Sequence, residues 1–123
     1  MMEYEITIHS DDKYIEIITK GVLDKDSSLD MAKTIAKTMK HNRITRALID
    51  HRQVTNVPGS VIEIYERPRI FRIMGVLLGI KIAEIINPDH SNHFKFLETV
   101  CINQGYKFSV FYDRSHALEW LLG

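Results

Sequence analysis

The sequence predicts an α/β fold, a mixed β-sheet with flanking helices, in the element order ββαβαβαβα. Two patterns carry this prediction. Apolar residues recur at every second position in some stretches and at every third or fourth position in others, as strands and helices with one buried face require. After an initial pair of strands, strand-like and helix-like stretches alternate, which indicates parallel neighbours joined by right-handed crossovers.

The first three elements are a β-hairpin and a helix. Residues 4–8 alternate between apolar and polar side chains, as in a strand with one buried face. Short polar residues at 10–13 favour a turn, and the β-branched run at 14–22 predicts the second strand. Ser27 is the expected cap of a helix that ends near residues 41–42, and the apolar face of this helix holds Ala32, Ile35, Ala36 and Met39.

The middle of the chain is less regular. Residues 46–51 form a short, nearly continuous apolar stretch, typical of a strand covered on both faces, and we expect this strand to end at Asp50. Ser60, followed three residues later by Glu63, forms a capping-box pattern that predicts the start of a helix. Pro68 predicts a kink or break because proline lacks the N–H that a helix needs.

The last third predicts two strands and two helices. Residues 79–86 form a strand, and residues 91–104 contain a helix that Gly105 follows at its C-terminal end. Residues 107–112 form the final strand, and Asp113 caps the last helix. One face of the first of these helices is predicted to hold Phe94, Leu97, Val100 and Cys101. The second carries the apolar residues Ala117, Leu118, Trp120 and Leu121.

Composition narrows the class of protein. The 123 residues fit one domain, which we expect to span 1–123, and 45% hydrophobic with 26% charged residues is typical of a globular chain. Lys and Arg number 16, as do Asp and Glu, so the formal net charge is zero. Nucleic-acid binding needs a clustered excess of basic residues, so we expect no nucleic-acid partner.

Cysteine usage and the N-terminal sequence point to the cytoplasm. Cys101 is the only cysteine, which excludes an intrachain disulfide and a multi-cysteine zinc site. Acidic residues stand near the N-terminus, where a signal peptide carries basic ones. The longest apolar stretch, residues 73–80, is far shorter than the roughly 20 residues that a membrane-spanning helix needs.

Several stretches resemble a known family. The third strand ends in Leu48-Ile49-Asp50, before a turn and a serine-capped helix. Together with the runs at 79–83, 96–100, 110–113 and 117–121, this arrangement resembles the SpoIIAA-like branch of the STAS superfamily, which includes the anti-sigma factor antagonists. The resemblance covers nearly the whole chain. It implies a single SpoIIAA-like (STAS-like) domain with a regulatory rather than catalytic role.

The resemblance also implies a regulatory serine. In anti-sigma factor antagonists, the turn after the third strand carries a phosphorylatable serine, usually within an Asp-Ser-Ser-Gly type sequence. Ser60 occupies that place, but proline replaces the aspartate and valine replaces the glycine in Val57-Pro58-Gly59-Ser60-Val61. Helix capping by Ser60 and Glu63 is the competing interpretation. The partner or regulatory surface is expected to comprise Asp50, His51, Arg52, Ser60 and Glu63.

The segment 65–78 supports an alternative. It places three arginines beside a dense apolar stripe, the pattern of an amphipathic element on an anionic membrane surface or beside an apolar or anionic small-molecule ligand. An ordinary crossover helix with a solvated basic face has the same pattern. The residues concerned are Tyr65, Arg67, Arg69, Phe71 and Arg72.

Other groups of residues give weaker signals. Asp89, His90 and His93 lack a further metal ligand at a defined spacing, so a solvated loop explains them and no metal is expected. Asp50 and His51 would point to opposite faces of a continuing strand, so they do not form a catalytic triad with Ser60. No catalytic residue and no cofactor is predicted.

The leading hypothesis is therefore a non-enzymatic, cytoplasmic, STAS-like module that binds an as yet unknown protein. The alternative is a small-molecule or lipid-binding protein that associates with a membrane through residues 65–78. Exposed edge strands in so small a sheet also favour a homodimer.

Overall fold

The predicted α/β class is confirmed by the computed structural model, which describes residues 2–57 and 79–123. Within these ranges the chain forms one five-stranded mixed sheet and three α-helices. A 3₁₀ turn, Pro88–His90, precedes the second helix. The elements are β1 (Met2–His9), β2 (Tyr14–Val22), α1 (Lys25–Asn42), β3 (Arg46–Asn56), β4 (Lys81–Ile85), α2 (Ser91–Asn103), β5 (Lys107–Phe111) and α3 (Arg114–Leu122).

The strands lie in the sheet in their order along the chain, β1-β2-β3-β4-β5. β1 pairs with β2 in antiparallel fashion, and every other neighbouring pair is parallel. The opening hairpin and the parallel remainder are both as the sequence predicts. The helix that Ser60 is predicted to start, and its break at Pro68, lie outside the described residues.

Helices cover the central strands on both faces. On one face, Ile17, Ile49 and Ile82 pack with apolar residues of α1 and α2. On the other, Leu48 and Ile85 pack with α3, through the residues Ala117 and Leu121. Burial on both faces explains why β3 has a nearly continuous apolar sequence.

The start of α1 differs from the prediction, and the start of α3 agrees with it. Asp24, not Ser27, caps α1: an Asp24 carboxylate oxygen accepts a hydrogen bond of 2.7 Å from the backbone N–H of Ser27. Both residue types are good caps, and the aspartate comes first in the chain. Asp113 caps α3 by accepting from the backbone N–H of His116 at 2.8 Å.

β3 is longer than predicted, because it continues past Asp50 to Asn56. Polar residues interrupt the apolar pattern after Asp50, but the backbone of β3 continues to pair with β2, where Lys20 lies opposite Gln53. The register shifts between Ile18 and Lys20, where β3 holds one extra residue. β4 stops pairing with β3 at Asp50, so residues 51–56 extend beyond β4.

Candidate functional site

The candidate site lies along the middle of β2 and β3 and beside the carboxyl end of β4. Open α/β sheets usually bind ligands at the carboxyl ends of their strands. Side chains alternate between faces along β3, so Asp50 and His51 lie on opposite faces of the sheet, as predicted. His51 belongs to an inner cluster with Thr19 and Glu84, on the side of α1 and α2. Two ion pairs on the side of α3 form an outer cluster, whose members are Glu16, Asp50, Arg52 and Arg114.

In the outer cluster, Asp50 holds Arg52 in a fixed position. The Arg52 guanidinium donates through Nε to Oδ1 at 3.0 Å and through Nη2 to Oδ2 at 2.7 Å, and its backbone N–H also donates to Oδ1 at 3.0 Å. Burial raises the pKa of the Asp50 carboxyl, but the hydrogen bonds from Arg52 outweigh this effect and hold that pKa below its usual value. Asp50 is therefore an anion at neutral pH, with a side chain 9% exposed beside an arginine side chain 45% exposed.

The second ion pair ties the hairpin to α3. Arg114 Nη2 donates to Glu16 Oε1 at 2.9 Å and to the Tyr14 hydroxyl at 3.1 Å. The Nε2 atom of His9 lies 2.9 Å from the same Glu16 oxygen. The hydrogen bonds from Arg114 lower the pKa of Glu16, although burial works in the opposite direction. Glu16 thus carries its charge at neutral pH in a largely buried position.

We expect acid to destabilise the protein through these two carboxylates. Because both pKa values are lower in the folded chain, their contribution to stability is present above the unfolded pKa values of about 4 and is lost as pH falls through the folded values. The unfolding free energy, measured by urea denaturation, should fall between about pH 5 and about pH 3. Arg114→Gln should make this decrease smaller, whereas Lys37→Gln, at an exposed position on α1, should leave it unchanged. Equal pH dependence in all three proteins would contradict this account of Glu16.

In the inner cluster, hydrogen bonding fixes the orientation of His51, which is 2% exposed. The Thr19 hydroxyl donates its one hydrogen to the Asp50 carbonyl oxygen at 3.1 Å, so at 2.7 Å from His51 Nδ1 it acts as an acceptor. This pattern assigns a proton to Nδ1. The ring also stacks on Phe94, with centroids 5.2 Å apart.

The opposite ring nitrogen of His51 faces a carboxylate. Nε2 lies 3.4 Å from Oε2 of Glu84, whose side chain is 8% exposed. With Nδ1 already a donor, an unprotonated Nε2 beside an ionised Oε2 would set two acceptors against each other. A proton on either atom removes this conflict, so the two side chains interact as one buried polar pair.

A cavity of about 50 Å³ adjoins the inner cluster. His51, Glu84 and Ser28 are the polar residues among its described lining, and the rest of that lining is apolar apart from a thiol. Two of the lining oxygens, Glu84 Oε1 and Ser28 Oγ, are buried without a hydrogen-bond partner. Native proteins rarely leave such atoms unpaired, so this pair of oxygens needs an explanation.

Cys101 also lines the cavity, and it is a core residue as predicted, 1% exposed. Burial, with smaller contributions from the carboxylates of Glu84 and Glu98, raises the pKa of its thiol to about 12. A thiol with this pKa stays protonated at neutral pH and is a poor nucleophile. The arrangement does not support thiolate chemistry at this site.

We therefore expect Cys101 to resist alkylation in the folded protein. At about pH 8, iodoacetamide should modify it at least about 100-fold more slowly in the native chain than in urea, because both burial and the raised pKa suppress the thiolate. Mass spectrometry of the intact protein over time measures both rates. Similar rates in the two conditions would show that the cavity region opens freely.

The structure separates the residues predicted for the partner surface. Arg52 is exposed and forms an ion pair with the buried carboxylate of Asp50. His51 faces the core on the opposite side of the sheet, because β3 continues past Asp50 and its side chains alternate between faces. Ser60 and Glu63 lie outside the described residues, as do the candidate ligand or membrane residues Tyr65, Arg67, Arg69, Phe71 and Arg72.

Sequence reasoning missed four residues of the site: Thr19, Glu84, Glu16 and Arg114. Glu84 could have been recognised from the sequence, because a carboxylate among the apolar residues of a strand needs a polar partner when it is buried.

The two histidines considered as metal ligands lie elsewhere, His90 in the 3₁₀ turn and His93 in the first turn of α2. Among residues 2–57 and 79–123, no three His, Cys, Asp or Glu side chains are grouped as a metal site would require. None of the described helices is long and apolar enough to span a membrane.

Comparison with known proteins identifies the fold. No protein-family model and no curated protein sequence matches the chain. Among solved structures, an anti-sigma factor antagonist from Mycobacterium paratuberculosis matches with a TM-score of 0.66 and 13% identity, over 100% of this chain and 96% of that one. An uncharacterised protein with a SpoIIAA-like fold from Shewanella loihica matches with a TM-score of 0.59 and 20% identity, over 98% of this chain and 93% of that one.

The anti-sigma factor antagonist SpoIIAA, in its unphosphorylated form, gives a third match. Its TM-score is 0.57 at 12% identity, and the match covers 98% of this chain and 99% of SpoIIAA. Each of the three matches extends over nearly the full length of both aligned chains. The chain therefore has a SpoIIAA-like (STAS-like) fold, as the sequence resemblance implies.

Proposed function

We propose that this chain is a STAS-like regulatory module that acts by binding a protein partner and has no catalytic activity of its own. The fold supports this role, because two of the structures that share it are anti-sigma factor antagonists. The proposed site of action is the cytoplasm.

The observation that carries the proposal is the exposed end of β3. This strand extends beyond β4, and four of its polar residues there are exposed: Arg52, Gln53, Thr55 and Asn56. Asp50 already holds the guanidinium of Arg52 through paired hydrogen bonds. A side chain ordered in advance loses less conformational entropy when a partner binds it.

The charges of Asp50 and Arg52 indicate which groups of a partner could bind here. The buried Asp50 carboxylate neutralises the charge of Arg52. The exposed part of the Arg52 guanidinium still has N–H groups that can donate to backbone carbonyls or carboxylates of a partner. We propose that the surface continues along the chain to Ser60 and Glu63. Phosphorylation of Ser60 would add close to two negative charges there and would change partner affinity.

The test is a binding measurement on a purified complex. A partner captured from the native host is purified, and its affinity for the full chain is measured by calorimetry. We expect Arg52→Ala to weaken binding about tenfold or more, through loss of a preordered charged contact. Ser60→Asp should abolish binding, whereas Lys37→Ala, exposed on α1, should have no effect. Wild-type affinity in both the Arg52 and Ser60 variants would refute the proposal.

Binding through residues 65–78 to an anionic membrane or to a lipid-like ligand stays a prediction from the sequence, and so does the homodimer. Cosedimentation with anionic vesicles, with and without replacement of Arg67, Arg69 and Arg72 by Gln, tests the first of these.

A further inference from the structure

Two buried oxygens without partners, in one cavity, are the starting observation. Glu84 Oε1 and Ser28 Oγ both lack a hydrogen-bond partner, and their residues are 6% and 8% exposed. Both residues line the cavity beside the inner cluster. An unpaired buried acceptor is costly, so its persistence points to a partner that binds there.

The rest of the cavity resembles a ligand site in composition. Side chains from α1, α2 and the sheet form its apolar wall, chiefly Met31, Ile35, Phe94, Leu97 and Phe108. Small-molecule sites combine such a wall with a few convergent polar groups that orient the ligand. A buried water pairs with two to four polar groups, and the described lining offers few of them, whereas its largely apolar surface suits a ligand that is mainly apolar.

The apolar lining and the unpaired oxygen determine the head group that fits. Oε2 of Glu84 faces His51 Nε2 at 3.4 Å, whereas Oε1 has no partner and can accept a hydrogen bond. A carboxylate ligand would set its own acceptors against Oε1, and either an ammonium or a carboxylate would bring a charge into a largely apolar cavity. A neutral hydroxyl group donates to Oε1 without adding charge.

We propose that this cavity binds a small apolar molecule with a hydroxyl group, which donates a hydrogen bond to Glu84 Oε1 while its apolar part packs against Phe94 and Leu97. The volume of about 50 Å³ limits the enclosed part of the ligand to a few non-hydrogen atoms. Ser28 Oγ is the other unpaired oxygen in the described lining of the cavity. The proposal stands independently of partner binding at the end of β3.

The probes are butan-1-ol, butylammonium and butyrate, titrated into the full-length protein and followed by methyl and amide NMR shifts. Butan-1-ol should give saturable shifts at Leu97 and other cavity residues, and the two charged probes should bind at least tenfold more weakly. The double variant His51→Phe/Glu84→Met removes the acceptors but retains side chains of similar size. It should weaken butan-1-ol binding about tenfold or more. The matched control Glu119→Met, at an exposed position on α3, should bind as the wild type does.

A second variant keeps the test decisive if the double variant fails to fold. Ala32 is 2% exposed and lines the cavity, so Ala32→Ile should fill the space and remove the saturable shifts. Three results would overturn the proposal: no saturable shifts with butan-1-ol, equal binding of the alcohol by wild type and variants, or long-lived water as the sole occupant in water-to-amide Overhauser spectra.

Discussion

Glu84→Ala should lower the free energy of unfolding by about 3–5 kcal/mol. The substitution leaves His51, 2% exposed, without the group that faces its Nε2 atom. It also enlarges an existing cavity, which adds to the cost. Urea denaturation at neutral pH measures the change.

The double variant His51→Phe/Glu84→Met is the control for this prediction. It replaces both polar groups with apolar side chains of similar size, and Thr19 can still donate to the Asp50 carbonyl oxygen. Replacing a buried ion pair in this way is often neutral or stabilising, so we expect a stability close to that of the wild type. A Glu84→Ala cost below about 1 kcal/mol, or a double variant less stable than Glu84→Ala, would contradict the coupling between His51 and Glu84.

Phe94→Ala should also cost about 3–5 kcal/mol. Phe94 is 1% exposed, stacks on the His51 ring and forms part of the cavity wall. Phe96, two residues further along α2, is 37% exposed and provides a matched control on the same helix. Phe96→Ala should cost less than about 1 kcal/mol, as is usual for partly exposed positions. Similar costs for the two variants would mean that α2 does not bury the face described.

The sequence was informative where side-chain periodicity reports burial. The sequence predicts β2 and α2 almost to the residue, because β-branched residues run through β2 and apolar residues recur on one face of α2. The end of β3 was misplaced because the backbone ladder continues beside β2 after the apolar pattern stops at Arg52. Backbone pairing does not depend on side-chain polarity, so an apolar pattern understates a strand with an exposed end.

The candidate site was less predictable than the fold. Asp50 and Arg52 lie two residues apart, and the sequence analysis places both on the partner surface, although β3 continues beyond them to Asn56. The contact between Thr19 and His51 joins residues 32 apart along the chain, and it depends on the register of β2 against β3. That register, with its extra residue in β3, is a property of strand pairing that no local pattern records. The inner cluster and its cavity therefore became visible only in three dimensions.

The central claim, that a protein partner binds at the exposed end of β3, is tested most directly by hydrogen–deuterium exchange of the chain alone and in complex with its purified partner. We expect slower exchange on binding at residues 52–56. Residues 10–13, in the hairpin turn at the amino end of β2, should be unaffected. Protection confined to that turn or to α3, with residues 52–56 unchanged, would contradict the claim.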